Sequence, residues 1–465
     1  MQNRRIVVKS IEVIVSSKEG QRFEKIEGFH LEKDIHEHEW CILMNYPHIT
    51  YQEITGFGGA FTQSSAINFY KMNDVKQREL LEAYFGDTGL RYNVGRTHIA
   101  SCDFSLGKFG YTEKEDLSDF NVKCDEDLLI PFIQSCQKYT KEKITLLASP
   151  WSPPAWMKSN NDVLHGGRLL EKYYQTYAEY FVKYIQAYLL KGITVDMVTI
   201  QNEPRANQTW ESCIFTAQEE KIFLRDYLYP TLEKNGLETQ VKIVIWDQNK
   251  DRVFERVSEI LSDEKVRKMV HGIGIHWYTG HHFENLKLCK EFFPEKEIIF
   301  TEGCLEYIPG VYRTETGKFA ITCDTPWDLG AKYARDMIGN YANGQSMMMD
   351  WNMILDAAGG PNHVNNFCAA PVMVDTENQE IIYESSYYFI GHFSRYVPNG
   401  SKRIASSCYT RDLETVSFIT PENKVVTVIL NIHDTDITFT LKDVKEKRVC
   451  EMVAKKKSIM TLIYS

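Results

Sequence analysis

The sequence has no Cys-x-x-Cys pair, no apolar run long enough to cross a membrane and no excess of positive charge. Each absence removes a class of function. The 11 cysteines are odd in number and irregularly spaced. That excludes a disulfide framework and a cysteine zinc site, and it suits reduced thiols. No stretch approaches the roughly 18 consecutive apolar residues of a spanning helix. The opening stretch holds only Ile6, Val7 and Val8 before Lys9. That is too short for the core of a secretory signal, so the expected location is the cytoplasm. A net charge of −10 and a pI of about 5.8 argue against nucleic acid and against an anionic membrane surface as partners. Gly56-Phe57-Gly58-Gly59-Ala60-Phe61 ends in Phe where a dinucleotide loop needs Gly or Ala. A phosphate-binding P-loop and a His-Glu-x-x-His motif are also missing, so no cofactor and no metal is expected. His30, His36 and His38 read as a solvated strand and turn. Nothing in the composition fixes an oligomeric state.

What is present is an ordinary soluble composition, 43% hydrophobic and 25% charged, with a high aromatic share of 12%. The first fifty or so residues alternate apolar and polar positions, as antiparallel strands do: Ile6, Val8, then Ile11, Val13, Val15. From Ile54 the rhythm changes. Short apolar runs ending in Gly, Asn, Pro or polar residues begin at Ile54, Tyr92, Ile144, Val195, Val241, Gly272, Glu297 and Ser346. Near-continuous apolar runs suit parallel strands covered on both faces. Helical stripes lie between them, at Glu126–Tyr139, Leu169–Leu190 and Trp327–Tyr341, with Gly192 and Gly344 as stops. After Tyr388 alternation returns at Val416–Ile419, Val425–Leu430, Ile437–Leu441 and Met460–Tyr464, with a turn at Pro421-Glu422-Asn423. The pattern predicts an α/β fold: a (β/α)8 TIM barrel over 54–388 with a side β-sandwich formed by both chain termini, 1–53 and 389–465.

Two of the predicted strands end in a carboxylate followed by a strand breaker, Asn202-Glu203-Pro204 and Thr301-Glu302-Gly303. They are the fourth and seventh barrel strands, and barrel active sites lie at the C-terminal strand ends. Paired carboxylates suit cleavage of a glycosidic bond. Neighbouring strand ends supply aromatic and hydrogen-bonding side chains: Ser149-Pro150-Trp151, His276-Trp277-Tyr278 and Asp350-Trp351-Asn352. Trp and Tyr rings stack on a sugar's C–H face, while His276 and Asn202 suit its hydroxyls. Asp247 reads as packing at the rim of strand five.

These motifs resemble glycoside hydrolase family 30, in its glucosylceramidase branch. The matching stretches are Gly56–Ala60, Ala100–Ser105, Leu147–Trp151, Asn202–Pro204, His271–Tyr278, Glu302–Cys304, Asp350–Asn352, Gly359–Asn362 and Gly391–Ser394. The resemblance implies a retaining β-glycosidase, with Glu203 as acid/base and Glu302 as nucleophile. It implies sugar contacts at Trp151, Asn202, Tyr278, Trp351 and Asn366, and an arginine, Arg96, under the nucleophile. It departs at Gln63, where the expected pattern carries an aspartate for sugar hydroxyls; glutamine donates as well as accepts. The expected partner is a small glycoside, either a β-glucoside or, with Gln63 altering selection, a β-xyloside or β-fucoside. A non-catalytic carbohydrate-binding protein is the contrasting expectation. The loops Asn160–Arg168 and Tyr307–Thr325 are expected to shape the aglycone site.

Overall fold

A computed structural model describes residues 9–35, 41–140, 143–308, 311–313, 319–320 and 326–465. Ile6, Val8, His36, His38 and part of the 307–325 loop lie outside the described residues. Three strands come first: β1 (Lys9–Ser17), β2 (Glu24–Lys33) and β3 (Ile42–Glu53). Eight follow: β4 (Gly56–Phe61), β5 (Val94–Ile99), β6 (Thr145–Pro150), β7 (Met197–Thr199), β8 (Lys242–Asn249), β9 (Val270–His276), β10 (Glu297–Glu302) and β11 (Gln345–Asn352). Six close the chain: β12 (Lys402–Cys408), β13 (Glu414–Ile419), β14 (Val425–Asn431), β15 (Ile437–Asp443), β16 (Arg448–Ala454) and β17 (Ser458–Tyr464).

Strands β4 to β11 close into a parallel barrel, and each coincides with one of the eight apolar runs. Its interior is layered. Val94, Leu147, Met197, Val244, Ile299, Met347 and Met349 form one buried apolar cluster. Side chains two residues further along a strand share the same face. That step leads from Val94 to Arg96, Leu147 to Ser149, Met197 to Thr199, Ile299 to Thr301 and Met349 to Trp351. An apolar floor therefore carries a polar layer nearer the C-terminal ends. Among the connecting helices, Tyr174–Leu190 follows a 3-10 turn at Glu171–Tyr173, and the chain leaves it through Gly192 at φ +76°.

The nine strands contributed by the two chain ends form a second closed ring, ordered β1-β2-β16-β15-β3-β12-β13-β14-β17. Strand β1 pairs antiparallel with β17, from Glu12↔Ile463 to Ser17↔Ser458, so the first and last strands are neighbours. Val13, Leu43, Ile404, Phe439, Leu441 and Leu462 are part of its core. Residues 326–346, read from sequence as barrel, cluster with this unit. The reason is packing: Trp327 meets Phe389 at 4.7 Å between ring centroids, joining helices Pro326–Ala342 and Ser385–Ser394.

Behind the barrel wall, buried Asp125 accepts hydrogen bonds from Tyr111 (2.5 Å) and Tyr188 (2.9 Å). Burial pushes its carboxyl up to about 7, and the two tyrosyl hydroxyls only partly counter that. A carboxyl raised in the folded state contributes stability that is full below its unfolded value of 3.8 and lost as pH rises through about 7. Asp125→Asn removes that titration. The stability of the parent minus that of the variant should therefore fall by roughly 2–4 kcal/mol between pH 4 and 8 in urea unfolding. A difference independent of pH would contradict the assignment.

Candidate active site

The polar layer centres on Arg96, whose side chain is 0% exposed. Its guanidinium donates to Glu302 Oε2 at 2.5 Å, Asn202 Oδ1 at 2.7 Å, Asp247 Oδ2 at 2.8 Å and Ser149 Oγ at 3.2 Å. The Trp151 and Trp351 rings flank it at 4.7 and 5.7 Å and lie 5.3 Å from each other. One cation thus orients the ends of β6, β7, β8, β10 and β11 together. Burying a guanidinium is costly unless every donor finds an acceptor. Here burial disfavours the charge, but Asp247 and Glu302 outweigh it and raise Arg96 above its ordinary range.

Two irregularities aim the acids. Between Trp246 and Gln248 the pairing of β8 with β9 shifts register, which turns Asp247 inward where alternation would place it outward. A matching shift between Phe300 and Glu302 does the same for Glu302. Both Trp246 (φ +75°) and Asp247 (φ +51°) occupy the left-handed region, as does Glu203 (φ +47°). Such conformations persist where surrounding bonds fix them; Glu203 N–H donates to the Asp247 carbonyl at 3.0 Å. Gly274 of β9 makes the bulge possible, since a Cβ there would lie 3.0 Å from Asp247 Cα.

His276 joins the acids. One ring nitrogen, Nδ1, is 3.1 Å from Glu203 Oε1 and 4.0 Å from Glu302 Oε1; the other, Nε2, is 3.1 Å from Asp247 Oδ1. Burial alone would lower its pKa, but the Glu302 charge and the bonds to Asp247 and Glu203 lift it to about 9. The ring is an imidazolium at neutral pH, donating from both nitrogens. Asp247 is held well below the carboxylate range: burial opposes ionisation, and Arg96 and His276 overcome it. Tyr278 donates to Glu302 Oε1 at 2.9 Å.

Glu203, His276 and Glu302 each present an atom within 4.8 Å of the others, the spacing of a metal site. The donor set does not fit one. Both His276 nitrogens carry protons, and Arg96 already neutralises Glu302, so no lone-pair cluster with negative charge remains for a cation.

Asn366, in the segment after β11, donates to Asp103 Oδ2, in the segment after β5, at 2.9 Å. Burial, reinforced by Glu302, pushes the Asp103 carboxyl up to about 8. Gln63 stands in the first turn of helix Gln63–Lys71 and spends its amide on backbone: Nε2 donates to the Cys124 carbonyl and Oε1 accepts from Leu106 N–H, both at 3.1 Å. The structure thus brings Arg96, Trp151, Asn202, Glu203, His276, Tyr278, Glu302 and Trp351 into one hydrogen-bonded and ring-stacked group. Asn366 belongs to the adjoining wall, and Gln63 is tied to the loops behind it. Sequence reasoning named Ser149 only as part of a polar strand end, gave Thr199 and Asp103 no role of their own and read Asp247 as packing. Asp247 also accepts from Ser149 and Thr199, at 3.0 and 2.8 Å. Ser149 and Thr199 were legible in principle, two residues beyond buried apolar partners. Asp103 sits within the quoted Ala100–Ser105 stretch.

The family models agree with this architecture. The glycosyl hydrolase family 30 TIM-barrel domain matches residues 54–397 and the family's β-sandwich domain matches 400–462. Mouse lysosomal acid glucosylceramidase is 32% identical over 418 residues, 86% of this chain and 79% of that protein. An endo-1,6-β-D-glucanase of Trichoderma harzianum is 25% identical over 415 residues, 83% of this chain and 79% of that one. Among solved structures, SrfJ from Salmonella typhimurium superposes with a TM-score of 0.91 at 32% identity, covering 98% of this chain and 99% of that chain. With barrel, sandwich and paired strand-end glutamates all in place, the chain belongs to glycosyl hydrolase family 30 and is a glycosidase acting on a carbohydrate or glycoside.

Proposed function

We propose that the protein is a retaining β-glycosidase that releases a terminal β-glucosyl group by double displacement. The observation that carries this reading is the proximity of Glu203 and Glu302, with carboxylate oxygens within 4.8 Å. Retaining pairs stand about 5–5.5 Å apart, and inverting pairs, which hold a water between them, roughly 6.5–9.5 Å. In the first step Glu302, paired with Arg96 and positioned by Tyr278, bonds to the anomeric carbon. The glycosidic bond breaks and Glu203 gives its proton to the leaving oxygen. In the second step Glu203 takes a proton from water, the water oxygen bonds to the same carbon, and the ester to Glu302 breaks.

The hydrogen bonds support these roles. Arg96 and Tyr278 both donate to Glu302, at 2.5 and 2.9 Å, and so hold it as the attacking group. Glu203 Oε1 is 3.1 Å from His276 Nδ1, which fixes the carboxyl beside the scissile bond. Asn202, whose oxygen is held by Arg96, offers its amide nitrogen to the sugar 2-hydroxyl. Trp151 and Trp351 supply the stacking face. Asp103 with Asn366, rather than Gln63, holds a hydroxyl of the terminal ring. Both relatives named above act, by their names, on glucose-containing substrates, so glucose is the sugar expected here while the aglycone differs between them.

The test is a panel of p-nitrophenyl β-glucoside, β-xyloside, β-fucoside and β-galactoside, with the first-formed product anomer read by NMR. The glucoside should be hydrolysed fastest and release the β-anomer. A preference for the xyloside would move the sugar assignment within the family, and an α-anomer would refute double displacement.

A further inference from the structure

The segment after β5 presents alternate residues to one side. Ser101 Oγ donates to Glu211 Oε1 at 2.5 Å, Asp103 accepts from Asn366 at 2.9 Å, and the Ser105 carbonyl accepts from His363 Nδ1 at 2.9 Å. Glu211 lies in the segment after β7 that also carries Glu203, and His363 in the segment after β11 that carries Asn366. His363 Nε2 completes the link, 3.3 Å from Glu211 Oε1 in an ion-pair contact. Three strand-end segments are therefore joined through six residues.

Neither carboxylate is fully used. Asp103 Oδ1 and Glu211 Oε2 are both buried and find no hydrogen-bond partner among the described residues, in side chains of residues only 5% and 2% exposed. A buried carboxyl oxygen left unpaired is costly, and structures tolerate that where a ligand supplies the partner. The two groups are close enough to sense each other: Asp103 feels the charges of Glu302, Glu211 and Glu203, and His363 those of Glu211 and Asp103. Burial opposes ionisation of Glu211, but His363 and Ser101 hold it below the usual glutamate range, so it is an acceptor only. Acceptor-only groups select hydroxyl donors.

We infer that Glu211 is a specificity-determining residue. Its Oε2 accepts a hydrogen bond from a hydroxyl of the terminal hexopyranosyl ring, next to the hydroxyl held by Asp103, and His363 is the positioning residue that fixes the carboxylate. The inference rests on the glycosidase reading and adds the part of the sugar that is recognised. It requires two neighbouring free hydroxyls on the ring edge away from the scissile bond.

The experiment compares wild type and Glu211→Gln on aryl β-glucoside and its 3-deoxy, 4-deoxy and 6-deoxy analogues. Wild type should lose roughly 10–100-fold in kcat/KM on at least two of these analogues, one for each carboxylate. In Glu211→Gln the loss on one analogue should shrink to a few-fold while the ratios for the others stay as in wild type. His363→Asn should weaken the same discrimination part-way. If Glu211→Gln does not fold, Glu211→Asp, which withdraws the carboxylate by one methylene, is read the same way. A uniform drop on all four sugars with unchanged ratios would overturn the inference and leave Glu211 a purely structural residue. Failure of wild type to hydrolyse any aryl glycoside would instead overturn the proposed release of a terminal β-glucosyl group.

Discussion

Glu302→Gln should reduce turnover of every aryl β-glycoside by on the order of 10^5-fold, whatever the leaving group. The nucleophile makes the covalent bond in the first step, and no neighbouring group can replace it. Arg96, Tyr278 and the register shift in β10 all serve this one carboxylate. Glutamine keeps the volume and the bond from Tyr278 but cannot bond to the anomeric carbon. Glu203→Ala should behave differently. It removes the proton donor, so p-nitrophenyl glucoside, with an acidic phenol, keeps much of its first step. Alkyl glucosides should fall by about 10^2–10^4-fold. Azide, which needs no general base, should restore turnover of Glu203→Ala and yield a β-glycosyl azide, while leaving Glu302→Gln inert. If azide rescued Glu302→Gln instead, with an α-azide product, the two roles would be exchanged.

The second large effect belongs to Arg96. Arg96→Leu removes four hydrogen bonds and leaves Asp247 and Glu302 facing each other without their cation. Breaking a buried pair by removing one partner costs roughly 3–5 kcal/mol, because the remaining charges stay desolvated. The stacked indoles of Trp151 and Trp351 lose their cation as well. The urea midpoint should fall accordingly, and activity should fall with it, since Glu302 loses the guanidinium that orients it. Arg96→Lys keeps the charge but cannot fork between Glu302, Asp247 and Asn202. It should recover part of the stability and little of the rate. A stability loss below about 1 kcal/mol for Arg96→Leu would mean that the cluster is solvated and the pairing weak.

Much of this is legible in the amino-acid sequence. The eight barrel strands announced themselves because each is an apolar run closed by a breaker, and Glu203 and Glu302 stood at two of those breaks. The N-terminal alternation at Ile11, Val13 and Val15 marked the strand that pairs with β17. Other features had no local signature. Asp247 follows Trp246 in an apolar run, and only the bulge, a property of its pairing with β9, turns it inward. Strand β12 escaped notice because Ile404 is its one fully buried residue and the rest is polar or half-exposed. Glu211 sits in a polar segment where an acid reads as solvated; its burial depends on Ser101 and His363, distant in sequence. Gln63 drew attention by chemical type, yet its amide is engaged by backbone that no sequence pattern brings near it.

The central claim is that Glu302 forms an ester with the sugar. A 2-deoxy-2-fluoro-β-glucosyl fluoride slows both steps by withdrawing electrons from the anomeric centre, and its good leaving group lets the first outrun the second. Incubation followed by peptide mass spectrometry should show one sugar per chain, on Glu302. A label on Glu203 or elsewhere, or an unlabelled enzyme that nevertheless turns over aryl β-glucosides, would contradict the account.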